Sequence, residues 1–178
     1  MKKLKTEALN RVSVEEFKDM EKNPIALVLD DIRSMHNVGS AFRTADAFAL
    51  EKIFLCGITG KPPHREINKT ALGATESVDW EYHEDVKKVV VGLKRKGYKI
   101  IVLEQADQSC FLNEFIPQGQ QFALVFGNEV SGVKEEILQL ADEVVEIQQF
   151  GTKHSLNISV SIGIVVWDML SKLKFQKD

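Results

Sequence analysis

The sequence has few cysteines and no long apolar segment, and these absences exclude several protein classes. Two cysteines among 178 residues, without a Cys-x-x-Cys pair or a spaced histidine pair, provide neither a disulfide framework nor a metal site. Every apolar run is far shorter than the ~20 residues of a membrane helix. The charged start of the chain is not followed by the apolar region of a secretory signal. We therefore expect a soluble, cytoplasmic protein with no membrane segment and no bound metal.

Three common nucleotide and metal signatures are also missing. The chain has no Walker sequence, no Gly-x-Gly-x-x-Gly after its first predicted strand and no His-Glu-x-x-His. Because these motifs supply phosphate-binding backbone and zinc ligands, their absence argues against nucleotide hydrolysis, dinucleotide binding and zinc proteolysis. His154 and Ser155 are neighbours in the sequence rather than members of a spaced triad, which disfavours a serine hydrolase.

The overall charge of the chain does not indicate a nucleic-acid partner. A net charge of −3 lacks the basic excess that is typical of such proteins. Basic residues nevertheless cluster in four places, and each cluster taken alone is best explained as a solvated surface. The clusters are Lys2, Lys3 and Lys5; His64, Arg65 and Lys69; Lys87, Lys88, Lys94, Arg95, Lys96 and Lys99; and Lys172, Lys174 and Lys177.

Short apolar runs alternate with amphipathic helical patterns along the chain. The apolar runs predict buried strands at 25–29, 52–56, 98–103, 122–126 and 143–147, with a short strand at 78–82. Helices are predicted at 14–21, 37–50, within 62–70, at 84–96 and at 132–140, with a loop at 72–77. This alternation predicts an α/β fold with a mainly parallel sheet flanked by helices. We expect one domain over 1–178, with a short helical extension at about 1–23.

The segment from 147 to 167 has two competing periodicities. Alternation of Leu156 and Ile158 with Ser155 and Asn157 is typical of a strand. At a helical period, small residues at 155, 159 and 163 form one line beside an apolar one. Because the run from Ser155 to about Leu173 is too long for an ordinary strand and contains no turn signal, we predict a helix there.

Three loops follow predicted strands, at the edge where parallel sheets bind ligands. They cover residues 30–39, 127–132 and 148–155. Asn37 in the first loop is explained most simply as a helix N-cap. Arg43 lies among apolar residues, where a guanidinium needs an anionic partner. That partner is either a carboxylate, Glu129 or Asp46, or the phosphate or ribose of a ligand.

The order and spacing of three motifs resemble the SpoU branch of the SPOUT RNA 2′-O-ribose methyltransferases. The motifs span most of the chain, from 27 to 170. They are Asn37-x-Gly39-x-x-x-Arg43-x-Ala45, then Phe126-Gly127-Asn128-Glu129-x-x-Gly132, then Ile147-x-x-x-Gly151-x-x-x-Ser155-Leu156-Asn157-x-Ser159-Val160.

This resemblance implies transfer of a methyl group from S-adenosylmethionine to a ribose 2′-hydroxyl in tRNA or rRNA. It also implies a homodimer and a C-terminal segment that threads through a loop as a trefoil knot. One alternative is a non-catalytic RNA-binding homologue, and another is an α/β enzyme that acts on a small nucleotide. Residues 69–78 resemble a segment of rRNA enzymes, whereas the lack of an additional N-terminal RNA-binding domain favours tRNA, so the target stays open.

The resemblance also implies two sets of site residues. The catalytic positions are Asn37, Arg43, Glu129, Ser155 and Asn157, and the cofactor-binding positions are Leu103, Gly127, Ile147, Gly151 and Leu156. Because a sulfonium methyl is already electrophilic, the protein has mainly to align the ribose oxygen and assist loss of its proton. Arg43 would stabilise phosphate and alkoxide charge, or act as a base if a phosphate assists. In this context the basic clusters become candidates for contacts with RNA phosphates.

Overall fold

The structure is a computed structural model that describes residues 1, 3–4 and 11–174. Lys2 and Lys5 of the first basic cluster and Lys177 of the last lie outside the described residues, as do residues 5–10 of the predicted N-terminal extension. Within the described ranges, no helix is both long enough and apolar enough to cross a membrane.

A seven-stranded sheet forms the centre of the fold. The strands are β1 (Asn23–Asp30), β2 (Leu50–Cys56), β3 (Trp80–His83), β4 (Lys99–Leu103), β5 (Cys110–Phe111), β6 (Phe122–Phe126) and β7 (Glu143–Glu146). Their order is β3-β2-β1-β6-β4-β7-β5, and each neighbouring pair runs parallel. The predicted parallel α/β sheet is therefore confirmed. Only β5 was missed, because two residues are too few to form a pattern.

Helices cover both faces of this sheet. They are α1 (Val14–Asp19), α2 (Met35–Ala47), α3 (Arg65–Ala71), α4 (Ala74–Ser77), α5 (Val86–Arg95), α6 (Glu135–Leu138) and α7 (Ile158–Lys174). Along β1, Leu27 and Leu29 pack in the layer that contains α1 to α4 and α7. Ala26 and Val28 pack on the opposite layer, with α5 and α6. Burial on both faces explains why this strand is a continuous apolar run.

Local signals explain where several helices begin. At α1, a capping box is present: Ser13 Oγ accepts a hydrogen bond from Glu16 N, and the Glu16 carboxylate accepts one from Ser13 N. At α2, the N-cap is Ser34, whose side chain accepts from Asn37 N. The N-cap interpretation of Asn37 is therefore wrong, and the Asn37 side chain is available for other contacts.

Several predicted boundaries differ from the structure by a few residues, and three of these differences have a clear local cause. Helix α7 starts at Ile158 and not at Ser155, because the Asn157 side chain accepts a hydrogen bond from Ser159 N and caps the helix. Helix α6 has only four residues, since the chain reverses between Asn128 and Gly132 before it. The predicted loop at 72–77 contains the single-turn helix α4.

Candidate active site at the carboxyl edge of the sheet

A cavity of about 520 Å³ opens at the carboxyl ends of β4, β6 and β7. Three segments form its wall, namely the residues after β4, the loop after β6 and the long loop between β7 and α7. The lining residues are Leu103, Glu104, Gln105, Phe126, Gly127, Asn128, Glu129, Val130, Gly132, Val145, Glu146, Ile147, Gln149, His154, Ser155, Leu156, Asn157, Ile158 and Ser161. Its position matches the edge at which the sequence placed the ligand site.

Most of the sequence-predicted cofactor residues line this cavity. Leu103, Gly127, Ile147 and Leu156 come from different elements and meet there. Gly151 lies outside the cavity, in the exposed part of the loop, and a Cβ built on it would have no atom within 4 Å. The structure therefore brings four of the five together and separates Gly151 from them.

Gly127 is required by the close approach of two backbone segments. A Cβ built on it would overlap the backbone of Gly132 and Val133. Gly132 itself has a φ of 69°, a conformation that favours glycine. Its backbone lies against the Glu104 carboxylate, which accepts a hydrogen bond from Val133 N at 2.9 Å. These contacts leave exposed backbone, rather than side chains, on this part of the cavity wall.

Glu129 joins the second motif to the start of α2. Its carboxylate accepts hydrogen bonds from Arg33 N at 3.0 Å, Ser34 N at 3.2 Å and Asn37 Nδ2 at 3.0 Å. Partial burial acts to raise the pKa of Glu129, but these hydrogen bonds outweigh it and hold the pKa below its ordinary value. Glu129 is therefore ionised at neutral pH and is a poor proton acceptor.

Asn37 connects Glu129 to the third motif. While its Nδ2 donates to Glu129, its Oδ1 accepts from Asn157 Nδ2 at 3.2 Å. Asn157 Oδ1 in turn accepts from Ser159 N at 2.8 Å and Ser159 Oγ at 2.7 Å. Asn37 is only 8% exposed and does not line the cavity. The network fixes the positions of Glu129 and Asn157, which do line it.

Arg43 is not part of this network. Its side chain is exposed, and among the described residues it has no ion pair or hydrogen bond with Glu129 or Asp46. Of the two alternatives for Arg43, the salt bridge is therefore wrong, and Asp46 instead accepts a hydrogen bond from Ser77 Oγ. Arg43 follows Asn37 by six positions in the helix, which turns their side chains about 120° apart. Within one chain, Arg43 does not face the cavity.

Ser155 lies on the cavity wall, in the loop between β7 and α7. That loop is attached to the residue after β4, because Gln105 Nε2 donates to the carbonyl of His154 at 3.2 Å. No hydrogen bond of the Ser155 side chain is found within the described part of the chain. Its hydroxyl is exposed and available to a ligand.

Sequence reasoning missed several residues that shape the site. Asn128 donates to the Asp31 carbonyl at 2.7 Å and accepts from Val130 N and Ser131 N, so it fixes the loop after β6. Glu104 holds the same loop from the β4 side. The available signal for Glu104 was its position directly after a buried strand, where ligand-binding edges form.

Lys134 also anchors this loop, beside the end of β1. Its Nζ lies 2.7 Å from Asp31 Oδ2 and 3.2 Å from Asp30 Oδ2. Burial raises the pKa of Asp30 despite the attraction of Lys134. Within the described residues, no group of three or more His, Cys, Asp or Glu side chains is arranged to hold a metal ion.

These features define an α/β protein whose ligand cavity is built from loops at the carboxyl edge of a parallel sheet. A family model described as "SpoU rRNA Methylase family" matches residues 24–167. The chain therefore belongs to the SpoU family.

Two relatives are similar to the chain over most of its length. It is 30% identical over 158 residues to 23S rRNA (guanosine-2′-O-)-methyltransferase RlmB of Neisseria meningitidis, a match that covers 88% of the chain and 62% of that protein. It is 27% identical over 164 residues to a tRNA (guanosine(18)-2′-O)-methyltransferase of Borreliella burgdorferi, covering 92% of the chain and 74% of the relative. The chain thus spans less than two thirds of the first protein and about three quarters of the second.

Solved structures share the fold. An AdoMet-bound rRNA methyltransferase from Sinorhizobium meliloti superposes with a TM-score of 0.80 at 23% identity, over 88% of this chain and 60% of that one. The TrmH/SpoU tRNA modifying enzyme of A. aeolicus gives a TM-score of 0.79 at 24% identity, over 89% and 80% of the two chains. At these identities, the likeness establishes the architecture.

Proposed function

We propose that the protein is an S-adenosylmethionine-dependent methyltransferase that modifies a ribose 2′-hydroxyl in tRNA or rRNA. The observation that carries this proposal is the hydrogen-bonded connection of all three sequence motifs, Asn37, Glu129 and Asn157, at one cavity. Membership of the SpoU family supports it, as do relatives named as guanosine 2′-O-methyltransferases of rRNA and tRNA.

The cavity has the size and character that the proposed cofactor needs. A volume of about 520 Å³ lies within the usual range of ~300–1,000 Å³ for small-molecule sites. Leu103, Ile147 and Leu156 supply apolar surface for an adenine ring, and the backbone at Gly127 supplies hydrogen-bonding groups. Glu104 and Glu146 complement a ligand that carries cationic sulfonium and ammonium groups. Gly151 enters the proposal only through its loop, which carries Ser155.

When bound, S-adenosylmethionine supplies a methyl group on a cationic sulfur, already activated for attack. The remaining work of the chain is to place a ribose oxygen in line with that methyl group and to exclude alternative geometries. Glu129, held ionised, and Asn157 stay in fixed positions through Asn37. Ser155 presents its hydroxyl to the ribose. Positioning is thus the main contribution that we assign to this network.

Arg43 has a different role in the proposal. A guanidinium stays protonated at neutral pH, so Arg43 is suited to stabilise phosphate charge and the alkoxide that develops on the ribose. A neighbouring phosphate would be needed for it to take part in proton removal. Since Arg43 lies outside its own cavity, we infer that it reaches the cavity of a second subunit.

An exposed apolar stripe on α7 supports such a homodimer. Val160, Ile164 and Trp167 are spaced at helical intervals and are 49%, 38% and 57% exposed. Trp167 also contacts Phe48, which directly follows α2, at a ring separation of 6.0 Å. The stripe is therefore next to the helix that carries Arg43. We propose that two copies pack through this face, since an exposed apolar face of this kind favours association.

Two finer features complete the proposal. We propose that the C-terminal segment is threaded as a trefoil knot, which is supported by the insertion of β7 between β4 and β5 and by the contact of its following loop with Gln105. We also propose a cytoplasmic location, which suits the free thiols of Cys56 and Cys110.

The test of the proposed function is tritiated methyl transfer to total tRNA and to ribosomal RNA in separate reactions, followed by nucleoside mapping. We expect label in a 2′-O-methylated nucleoside of one RNA class. Calorimetry with S-adenosylmethionine distinguishes the proposed enzyme from a non-catalytic RNA-binding homologue. Such a homologue would not bind the cofactor even at high micromolar concentration. Turnover without RNA would instead indicate an enzyme that acts on a small nucleotide.

A further inference from the structure

We propose that a basic surface formed by α2, α3 and the segment before α3 binds the backbone phosphates of the substrate RNA beside the cavity. We name it the α2–α3 basic surface. It consists of Arg33, His36, Lys61, His64, Arg65 and Lys69. The inference rests on the proposed function, and it adds the place where the RNA strand lies.

The local charge of this surface is opposite to that of the whole chain. Between residues 61 and 69 the sequence has three cations, Lys61, Arg65 and Lys69, and one acid, Glu66, whereas the chain has a net charge of −3. All three cations are exposed. Because phosphate binding is driven by charge, a cationic patch on an acidic protein directs RNA to one face.

The single acid does not neutralise the patch. Glu66 lies 2.8 Å from Lys69 Nζ, 3.1 Å from His36 Nε2 and 4.0 Å from Arg65 Nε. One carboxylate therefore holds several cationic or titratable groups together while the group stays positive. The hydrogen bond from Lys69 lowers the pKa of Glu66, so this carboxylate stays ionised at neutral pH.

The surface lies at the same edge of the sheet as the cavity. Residues 61–69 follow the carboxyl end of β2, and α2 follows the carboxyl end of β1. Buried Thr59 ties these two segments together, since it donates to the Leu29 carbonyl at 3.0 Å and accepts from Ile32 N at 2.9 Å. An RNA strand on this surface would thus pass the edge at which the ribose has to enter.

The surface is also fixed relative to Asn37. A Cβ on Gly39 would overlap Thr70 Oγ1 and the Ile67 carbonyl, so α3 lies directly against α2. The Thr70 hydroxyl donates to the His36 carbonyl at 3.0 Å. Because α2 carries both the network residue Asn37 and this contact, phosphates bound by α3 would be held at a constant distance from the cavity.

Arg43 extends the surface along α2. It follows His36 by seven residues, or about two helical turns, which places both side chains on one exposed face about 10 Å apart along the axis. The phosphate-stabilising residue of the proposed mechanism is thus continuous with the basic surface. A strand that runs from Lys69 and His36 to Arg43 would thus lead to the cavity of the second subunit, where Arg43 is proposed to act.

The basic cluster on α5 differs in its position, and two of its lysines pair with separate carboxylates. Lys87 pairs with Glu136 at 2.9 Å, and Lys94 pairs with Asp142 at 3.0 Å. Lys99 begins β4, so the end of the cluster lies at the amino edge of the sheet, away from the cavity. Three exposed basic residues there, Lys88, Arg95 and Lys96, provide a matched control of equal charge.

The test compares two triple charge reversals, Lys61→Glu/Arg65→Glu/Lys69→Glu and Lys88→Glu/Arg95→Glu/Lys96→Glu. The probe is the tRNA or rRNA that accepts label from the unmodified protein, and binding is measured by fluorescence anisotropy across a salt series. We expect the first variant to lose more than about tenfold in affinity and its salt slope to fall by about two, since each lost phosphate contact removes ~0.7. We expect the control to remain within about twofold of the unmodified protein.

Two further measurements keep the outcomes separate. Unchanged S-adenosylmethionine affinity shows that a variant is folded. If the charge reversal impairs folding, the three residues are replaced by glutamine instead. The expected loss of RNA affinity is then smaller, about threefold. Equal losses in both variants, or no loss in the first, would overturn the RNA surface. Failure of the unmodified protein to methylate any RNA would instead overturn the proposed function.

Discussion

Asn37 is the residue on which the geometry of the site depends most. Its amide uses both ends, donating to Glu129 and accepting from Asn157. The partners are 92 and 120 residues away in the chain, so a sequence pattern alone assigned Asn37 to helix capping. The topology of the sheet brings these distant loops together, and only then does the amide acquire its role.

Replacement of Asn37 by alanine should reduce methyl transfer by about 100-fold, because Glu129 and Asn157 lose their common partner and the ribose is misaligned. The free energy of unfolding should fall by about 1–2 kcal/mol for the lost hydrogen bonds. S-adenosylmethionine affinity should change little. Labelled-methyl transfer, denaturant titration and calorimetry provide the three measurements. Asn113→Ala, at an exposed site far along the chain, is the control, and equal activity of the two variants would contradict the positioning role.

Glu129 gives a pH-dependent test. Its pKa is below the ordinary value of 4.5 because hydrogen bonds to the Arg33 and Ser34 backbone and to Asn37 outweigh the effect of partial burial. The folded protein thus binds a proton at Glu129 less readily than the unfolded chain. This contribution to stability is fully present above pH 4.5 and is lost as the pH falls through the lower folded pKa.

Glu129→Gln should therefore be less stable than the unmodified protein at neutral pH. The difference should shrink as the pH falls below about 4.5, since protonation removes the charge that the variant lacks. Denaturant titrations of both proteins across this range provide the measurement. A difference that does not change with pH would show that the carboxylate charge is not used in the folded state.

At the scale of elements, the strands were predicted from the sequence more accurately than the loops and helix boundaries. Strands such as β1 and β6 were predicted because burial on both faces makes them nearly continuous apolar runs. Boundaries failed where one side chain or one turn decided them, as with the Asn157 cap of α7 and the turn before α6. The interpretation of Arg43 as a residue among apolar neighbours that needs a buried partner was also wrong. Its apolar sequence neighbours face the core, while its own side chain faces solvent.

Two glycines of the site loops, Gly127 and Gly151, differ in how closely other atoms surround them. Gly127→Ala should destabilise the protein by about 1–3 kcal/mol and weaken S-adenosylmethionine binding at least about tenfold, because the added methyl group displaces the backbone at Gly132 and Val133. Gly151→Ala should leave both properties nearly unchanged, since its surroundings are open. Calorimetry measures the cofactor affinity of the two variants, and thermal unfolding measures their stability. A larger effect at Gly151 would restore it as a direct cofactor contact.

At the scale of the whole molecule, the cavity and the guanidinium that should serve it lie apart within one chain. The apolar stripe of α7 provides the means to bring them together in a dimer. Ile164→Asp should therefore give a monomer in analytical ultracentrifugation, because a charge in an apolar interface is not compensated. The monomer should bind S-adenosylmethionine less than about threefold more weakly yet transfer no methyl group. An active monomer would disprove the need for a second subunit.

Mixed dimers test whether Arg43 acts in the partner's cavity. When Arg43→Ala and Asn37→Ala subunits are refolded together, half of the dimers are mixed, and each mixed dimer has one cavity with an intact Asn37 and an intact Arg43 from the other subunit. Activity should return to about a quarter of the unmodified level, although Arg43→Ala alone should be inactive and Asn37→Ala alone should retain only about a hundredth. Asn37→Ala mixed with Glu129→Ala should recover nothing, because both changes affect the cavity of their own chain. If native mass spectrometry shows mixed dimers but the first mixture stays inactive, Arg43 acts within its own subunit, and its exposed side chain must then turn towards the cavity when RNA binds.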